Sequence, residues 1–277
     1  MEILGIDVGA SGIKGAPVDT RSGEMTASRI RVPTPEGATP EAVSEVVGQL
    51  VSRFRWSGPV GCGFPAAVRQ GRVLTAVNIA DHWVGESVTR LFQEAAGRPV
   101  TVINDADAAG LAEMRFGAGR GRAGLVMILT LGTGIGTSLF IDGRLVPNTE
   151  LGQVEFRGSP AEKRAAAIVR QRQGLSWAKW ARRLDDYLHR MEYYFWPDLM
   201  ILGGGVSKKS EKFLPLLTLQ TEVVAAQMLN NAGIVGAALA ALPQGQAQRD
   251  VVGAARMPAR GFDFQGGDSG ARPEGNC

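Results

Sequence analysis

The sequence predicts an α/β protein made of two related half-domains. Three observations predict it. Apolar strand-like runs alternate with helical patterns along the chain. A strand–glycine-turn–strand pattern occurs twice, at residues 2–19 and 125–142, with Gly9 and Gly132, Val18 and Ile141, and Asp19 and Asp142 each 123 positions apart. The length, 277 residues, suffices for one large or two medium domains with a sizeable core.

Each element has a local reason. The first strand begins at residue 3, runs into the turn Gly9-Ala10-Ser11-Gly12, and is followed by a second strand toward Asp19. Residues 39–54 carry Val43, Val46, Val47, Leu50, Val51 and Phe54 at helical spacing, and residues 59–64 read as a short buried strand. Val88–Ala96 is a helix stopped by Gly97; residues 99–103 form a strand that ends at Asn104-Asp105, and a helix follows over 106–116. A Gly/Arg loop at 117–124 leads into the second hairpin around Gly132-Thr133-Gly134. Residues 160–173 and 176–195 read as two long Arg-rich helices, the second capped by Ser176. A strand at 198–202 runs into Gly203-Gly204-Gly205; helices at 210–217 and 227–241 close the fold. The expected division is 1–116, 117–241, and a weakly packed or disordered Gly/Pro/Arg-rich tail at 242–277.

Bulk composition excludes several classes. The formal net charge is +3, compatible with a polyanionic ligand without demanding one. The two cysteines, Cys62 and Cys277, form no CxxC pair, so neither a zinc knuckle nor a disulfide framework is supported. The two histidines, His82 and His189, lie far apart, which disfavours multi-His metal sites and Ser-His-Asp chemistry. No apolar run reaches the length of a membrane span, and the first strand begins at residue 3, leaving no room for a signal or transit peptide. The expected setting is cytoplasmic.

Five places carry candidate chemistry. Asp7 ends a buried strand beside a phosphate-type loop, where it either organises Mg²⁺ or caps the turn. The glycine loops suit phosphate oxygens, because bare backbone approaches closely and adopts φ > 0. Asn104-Asp105 sits at a strand end, where α/β ligand sites form; Asp105 serves as general base and Asn104 as a hydroxyl contact, or the pair caps the following helix. Glu150-Leu151-Gly152-Gln153 offers a carboxylate and an amide, the usual partners of sugar hydroxyls, or is a solvated loop. Gly203, Gly204 and Gly205 let a flat ligand lie on bare backbone. Lys208, Lys209 and Lys212 suit an extended polyanion, or form a solvated helix face. No GxxxxGK[ST] is present, and the first glycine turn leads to a strand, so neither a P-loop nor a Rossmann fingerprint applies.

Taken together, residues 6–15, 61–65, 78–79, 102–107, 131–137, 148–153 and 203–212 resemble the ROK family of sugar kinases, and within it the polyphosphate-using branch. The resemblance spans about residues 3–241 and implies the actin/hexokinase-like (ribonuclease H-like) ATPase fold, with two domains around a cleft. It implies that Asp7 organises Mg²⁺ and that Gly9, Ala10, Ser11, Gly12 and Lys14 surround the donor phosphates. Gly132, Thr133 and Gly134 would hold the transferring phosphoryl, and Gly203 to Val206 would face adenosine. Asn78, Asn104, Asp105, Glu150 and Gln153 would contact the hexose, with Asp105 taking the proton of the C6 hydroxyl. The implied donor is ATP, inorganic polyphosphate or both, with Lys208, Lys209 and Lys212 on the polyphosphate side.

Three departures qualify this. The Cys-rich zinc motif of many members is absent, so no structural zinc is expected, and Glu162 is the candidate for the sugar-binding Glu near that motif. Gln153 stands where the family has His, which predicts looser discrimination and acceptance of mannose beside glucose. Ala10 replaces a commoner Gly. The alternatives are an ATP-only kinase for another hexose or amino sugar, a sugar-responsive repressor, for which a start at residue 3 leaves no helix-turn-helix, and an actin-like assembly ATPase. Neither nucleic acid nor membrane is an expected partner, and a monomer and a homodimer are both left open.

Overall fold

A computed structural model describes residues 1–77 and 79–243. The predicted contact Asn78 and residues 244–277 of the predicted tail lie outside the described residues.

The first half supplies β1 (Glu2–Gly9), β2 (Gly12–Asp19), β3 (Glu24–Met25), β4 (Ile30–Val32), α1 (Pro40–Arg53), β5 (Val60–Phe64), β6 (Val68–Arg69), β7 (Arg72–Val73), α2 (Val88–Ala96), β8 (Val100–Asn104) and α3 (Asp105–Phe116). The second supplies β9 (Leu125–Leu131), β10 (Ile135–Ile141), β11 (Arg144–Val146), α4 (Glu162–Ala165), α5 (Ala167–Arg172), α6 (Trp177–Phe195), β12 (Leu199–Gly203), β13 (Glu222–Ala225) and α7 (Ala232–Ala240).

The duplication extends beyond the hairpins. The sheet orders are β3-β2-β1-β5-β8, with β4 also on β2, and β11-β10-β9-β12-β13. In each, an antiparallel hairpin is followed by two parallel strands, so Asp7 lies beside Gly63 and Thr130 beside Gly203. The gapless sequence offset is not kept in the pairing. Asp7 faces Lys14 in the first hairpin, whereas Thr130 faces Gly136 in the second. The first turn closes over Ala10-Ser11; the second takes in Gly132, Thr133 and Gly134, and this extra residue widens the loop.

Local chemistry fixes the helices. Thr39 Oγ1 accepts from the Ala42 N–H and Pro40 opens α1, whose apolar face buries Val43, Val46, Val47, Leu50 and Val51 in the core of the first sheet. Gly97 ends α2 in the left-handed region at φ 60°. Ser176 caps α6, which buries Trp180, Leu184, Tyr187, Leu188 and Met191 in the core of the second sheet. Helices α3 and α7 pack together; α3 also touches β10 of the second sheet, and α7, although the last element among the described residues, packs on β1 and β5 of the first. A side chain at Gly236 would meet the carbonyl oxygen of Ala108 at 1.6 Å, so this helix crossing requires bare backbone.

Three predicted helices differ. The helix expected over 160–173 is split into α4 and α5 at Ala166, which is extended at ψ 151°. The buried Trp180 Nε1 donates to the carbonyls of Ala165 and Ala166 at 3.1 and 3.3 Å, holding the break. The helix expected over 210–217 is replaced by 3₁₀ turns at Gly205–Lys212 and Leu214–Leu216, since Pro215 lacks a donor for a longer ladder. The helix expected from 227 begins at Ala232, because Leu229 is left-handed at φ 50° and a 3₁₀ turn at Leu229–Asn231 precedes it; the N–H groups of Gln227 and Met228 donate to Glu113. Strands β3, β4, β6, β7, β11 and β13 are short and carried no period-2 signal. Among the described residues no helix is long and apolar enough to cross a membrane.

Candidate active site

Two compartments share a wall made by Asp105, Ala106, Thr130 and Gly204. One is lined by Ala10, Asn104, the Gly132-Thr133-Gly134 loop, Thr137, Thr149 and Glu150. The other is lined by Asp7, Lys14, Gly203, Gly205, Leu229, Asn230 and Gly233.

Asn104 caps the helix that follows it and turns its amide nitrogen toward Glu150. Its Oδ1 accepts from the N–H groups of Ala106 at 2.9 Å and Asp107 at 3.0 Å, capping α3. Its Nδ2 donates to the Ala66 carbonyl at 3.2 Å and faces Glu150 Oε1 at 3.5 Å. The cap starts the helix at Asp105 and leaves that side chain in the wall between the compartments. Burial pushes the Asp105 carboxyl up to about 7; the charges of Asp7, Glu150 and Asp107 add to the rise, and the Ala106 N–H opposes it. Glu150 is raised by burial and then by Glu162.

Asp7 is also raised, first by burial, and Lys14 opposes the rise from 3.5 Å. Asp7 and Asp105 both line the second compartment, and among the described residues no group of three or more His, Cys, Asp or Glu could hold a metal ion. One or two carboxylates suit a hard cation that keeps waters and takes its remaining ligands from phosphate.

The glycine loops work differently from expectation. None of Gly9, Gly12, Gly132 or Gly134 has positive φ. A side chain at Gly12 would lie 2.5–2.7 Å from the Arg31 guanidinium, the flexible end of an exposed side chain, and would displace it. That guanidinium donates to the Ser11 carbonyl, and Thr34 Oγ1 donates to the Gly9 carbonyl. Ala10 and Lys14 reach the compartments, while Gly9, Ser11 and Gly12 line neither. The second loop is held by the Ile168 N–H on the Gly132 carbonyl and by Glu162, whose Oε2 accepts from the Ile135 N–H at 3.2 Å. Glu162 therefore anchors the loop and lines neither compartment, as is also true of Gln153.

Val206 packs against the core of the second sheet and lies outside both compartments. Lys208, Lys209 and Lys212 also line neither; Lys212 Nζ sits 5.9 Å from the centre of the Trp177 ring.

Several contributors escaped the sequence reading. Thr137 Oγ1 donates to the Thr149 carbonyl at 2.6 Å and accepts from the Leu151 N–H at 3.1 Å, which positions Glu150. Buried Asp107 accepts from the Asn148 N–H. Buried Glu113 accepts from the N–H groups of Ala118, Gln227 and Met228 and fixes the segment that lines the second compartment. The one available signal was the matched offset, which sets Thr130 in the place of Asp7.

Residues 3–152 match the ROK family. The chain belongs to the ROK family. This ROK protein is 47% identical over 240 residues to the polyphosphate glucokinase of Mycobacterium tuberculosis, a match covering 86% of this chain and 91% of that protein. The crystal structure of inorganic polyphosphate/ATP-glucomannokinase from Arthrobacter sp. strain KM superposes with a TM-score of 0.83 at 46% identity, covering 86% of this chain and 97% of that one. A ROK family glucokinase from Streptomyces griseus, solved with glucose and AMPPNP, gives a TM-score of 0.72 at 26% identity, covering 86% and 98%. The fold of this ROK protein is thus that of the actin/hexokinase-like sugar kinases.

Proposed function

We propose that this protein is a hexokinase-type enzyme that transfers a phosphoryl group from inorganic polyphosphate or ATP to the 6-hydroxyl of glucose. The observation that carries this reading is the position of Asp105 in the wall common to both compartments. On one side Asn104 and Glu150 offer hydroxyl partners; on the other are Asp7, Lys14 and bare glycine backbone. The similarity to polyphosphate glucokinases and a polyphosphate/ATP-glucomannokinase supports this donor pair.

In this reading Asn104 and Glu150 fix neighbouring sugar hydroxyls. Asp105 accepts the C6 hydroxyl proton as the oxygen attacks the terminal phosphorus in line and the bridging oxygen leaves with the donor. A carboxyl titrating near neutrality suits that transfer. Thr133 and the Gly132 and Gly134 backbone cradle the phosphoryl in flight, and Lys14 neutralises donor phosphate charge. Gly203, Gly204 and Gly205 leave room for the adenine nucleoside when ATP is the donor. Phosphoryl transfer needs chiefly positioning and charge neutralisation, and a closed cleft limits hydrolysis by excluding water. Asp7 would hold Mg²⁺, which when bound offsets the charge of the donor phosphates.

Mannose is the second acceptor in this proposal, because Gln153 replaces a family His on the segment that carries Glu150. The enzyme is expected in the cytoplasm, where both donors occur. The test is a two-by-two assay of glucose and mannose against ATP and polyphosphate, with and without Mg²⁺. Glucose 6-phosphate from both donors, dependent on Mg²⁺, is the expected result. Sugar-independent ATP hydrolysis with filament formation, or no transfer to glucose from either donor, sinks the reading.

A further inference from the structure

The first sheet carries a row of charge at its edge. Asp7 on β1 faces Lys14 on β2, and Lys14 in turn faces Arg31 on β4. Directly opposed partners share a sheet face, so the three side chains form one line across three strands. Asp7 offsets Lys14 at 3.5 Å. Arg31 has no such partner: its guanidinium rests on the Ser11 carbonyl, over the bare Gly12. Arg29, just before β4, donates from Nη1 to the Asn230 carbonyl at 3.2 Å. Asn230 lines the donor compartment. Both arginines are exposed, and among the described residues neither has a carboxylate within ion-pair distance.

Like charges placed opposite each other on a sheet are destabilising. The Lys14–Arg31 pair is therefore a cost unless an anion completes it. Both arginines are tethered through single carbonyl contacts, which leaves their remaining N–H donors free to take phosphate oxygens in a fork geometry. The row begins inside the donor compartment at Lys14 and leads out of it to Arg31 and Arg29. Arg29, Arg31 and the Lys208-Lys209-Lys212 run all line neither compartment, but the arginines are joined to lining residues, Arg31 through its pairing with Lys14 and Arg29 through the Asn230 carbonyl.

We propose that Lys14, Arg31 and Arg29 form an anion track that binds the part of a polyphosphate chain extending beyond the cleft. This rests on the polyphosphate-donor reading. It predicts a dependence on chain length: long-chain polyphosphate spans the track, whereas ATP and tripolyphosphate end inside the compartment.

The test uses the full chain and two readouts. Calorimetric titration with long-chain polyphosphate, tripolyphosphate and ATP measures binding without turnover; steady-state assays measure KM for each donor. Each of Arg29→Ala and Arg31→Ala is expected to weaken long-chain polyphosphate about three- to tenfold, and the double variant by about tenfold or more. The losses for tripolyphosphate and ATP are far smaller, the salt dependence of long-chain binding becomes shallower, and Arg29→Lys with Arg31→Lys recovers part of the loss. Equal losses for all three ligands mean that the arginines only support the Gly9–Gly12 loop, and overturn the track. So does unchanged long-chain binding in the double variant, or a loss confined to a Lys208→Ala/Lys209→Ala/Lys212→Ala variant. A wild-type protein that binds long-chain polyphosphate through these arginines but does not turn it over removes the donor reading and keeps the track. One that does not bind it removes the track.

Discussion

Asp107 Oδ2 accepts a hydrogen bond from the backbone N–H of Asn148 at 2.8 Å, across 41 residues of sequence. Asn148 holds the left-handed conformation at φ 59°. Its side chain copies a strand partner: Oδ1 accepts from the Val68 N–H at 2.8 Å and Nδ2 donates to the Val68 carbonyl at 3.0 Å. One residue thus ties the start of α3 and the β6 strand to the segment that carries Glu150, and so sets how Glu150 meets Asn104.

Asn148→Ala removes both side-chain hydrogen bonds and leaves in the left-handed region a residue that tolerates it less well than Asn. Urea unfolding is expected to show a loss of roughly 2–4 kcal/mol, with a raised KM for glucose. Asn148→Gly spares the backbone and keeps the N–H to Asp107, so its loss is about 1–2 kcal/mol. Equal stability of the two variants would show that the backbone conformation contributes nothing.

Asp105→Asn retains the cap made by Asn104 and the shape of the wall. Its kcat is expected to fall by about 10²- to 10⁴-fold, with an unchanged circular dichroism spectrum. A kcat within a few-fold of wild type would refute its role as base.

The pH dependence follows from Asp105 and Asp107, both raised to about 7, chiefly by burial. Transfer needs Asp105 deprotonated, so kcat/KM for glucose rises with pH and levels off above about 7. Stability runs the other way. The folded protein holds these protons more tightly than the unfolded chain, so their contribution is complete below the ordinary carboxylate range and is lost as pH rises through about 7. Thermal melts between pH 4 and 8 should show Tm falling less steeply in Asp107→Asn than in wild type.

Glu113 acts as a positioning residue for the donor side. Glu113→Ala strands three N–H groups and is expected to cost roughly 3–5 kcal/mol. Glu113→Gln keeps one acceptor oxygen and folds; its KM for ATP rises by about tenfold while KM for glucose barely moves. A glucose-side effect of equal size would mean that the segment at 227–230 does not act on the donor compartment alone.

Gln153→His introduces the residue that the family resemblance implies at this position. The ratio of kcat/KM for glucose to that for mannose is expected to rise several-fold, read by parallel assays of the two sugars. An unchanged ratio removes Gln153 from sugar discrimination.

Much of this was written locally. Thr39, Gly97 and Ser176 punctuate their helices through contacts within a few residues, so composition and spacing suffice to find them. The repeated hairpins and Asn104-Asp105 were legible for the same reason, because turn and cap chemistry is encoded over short stretches. What was not legible depends on groups far apart in sequence. Glu113 holds the segment before α7 by taking N–H groups more than a hundred residues away, and Trp180 holds the break in the helix expected at 160–173 from the next helix. Glu162 reads as a sugar contact by sequence but is engaged by the Ile135 N–H. The sequence by itself determined the elements, the duplicated plan and the chemical types at the cleft. Only the tertiary structure decided that Asp105 stands in the wall between the compartments, that Asp7 and Lys14 line one of them, and that Lys208, Lys209 and Lys212 line neither. Those outcomes come from strand register and from buried hydrogen bonds that must be satisfied wherever the chain brings donor and acceptor together.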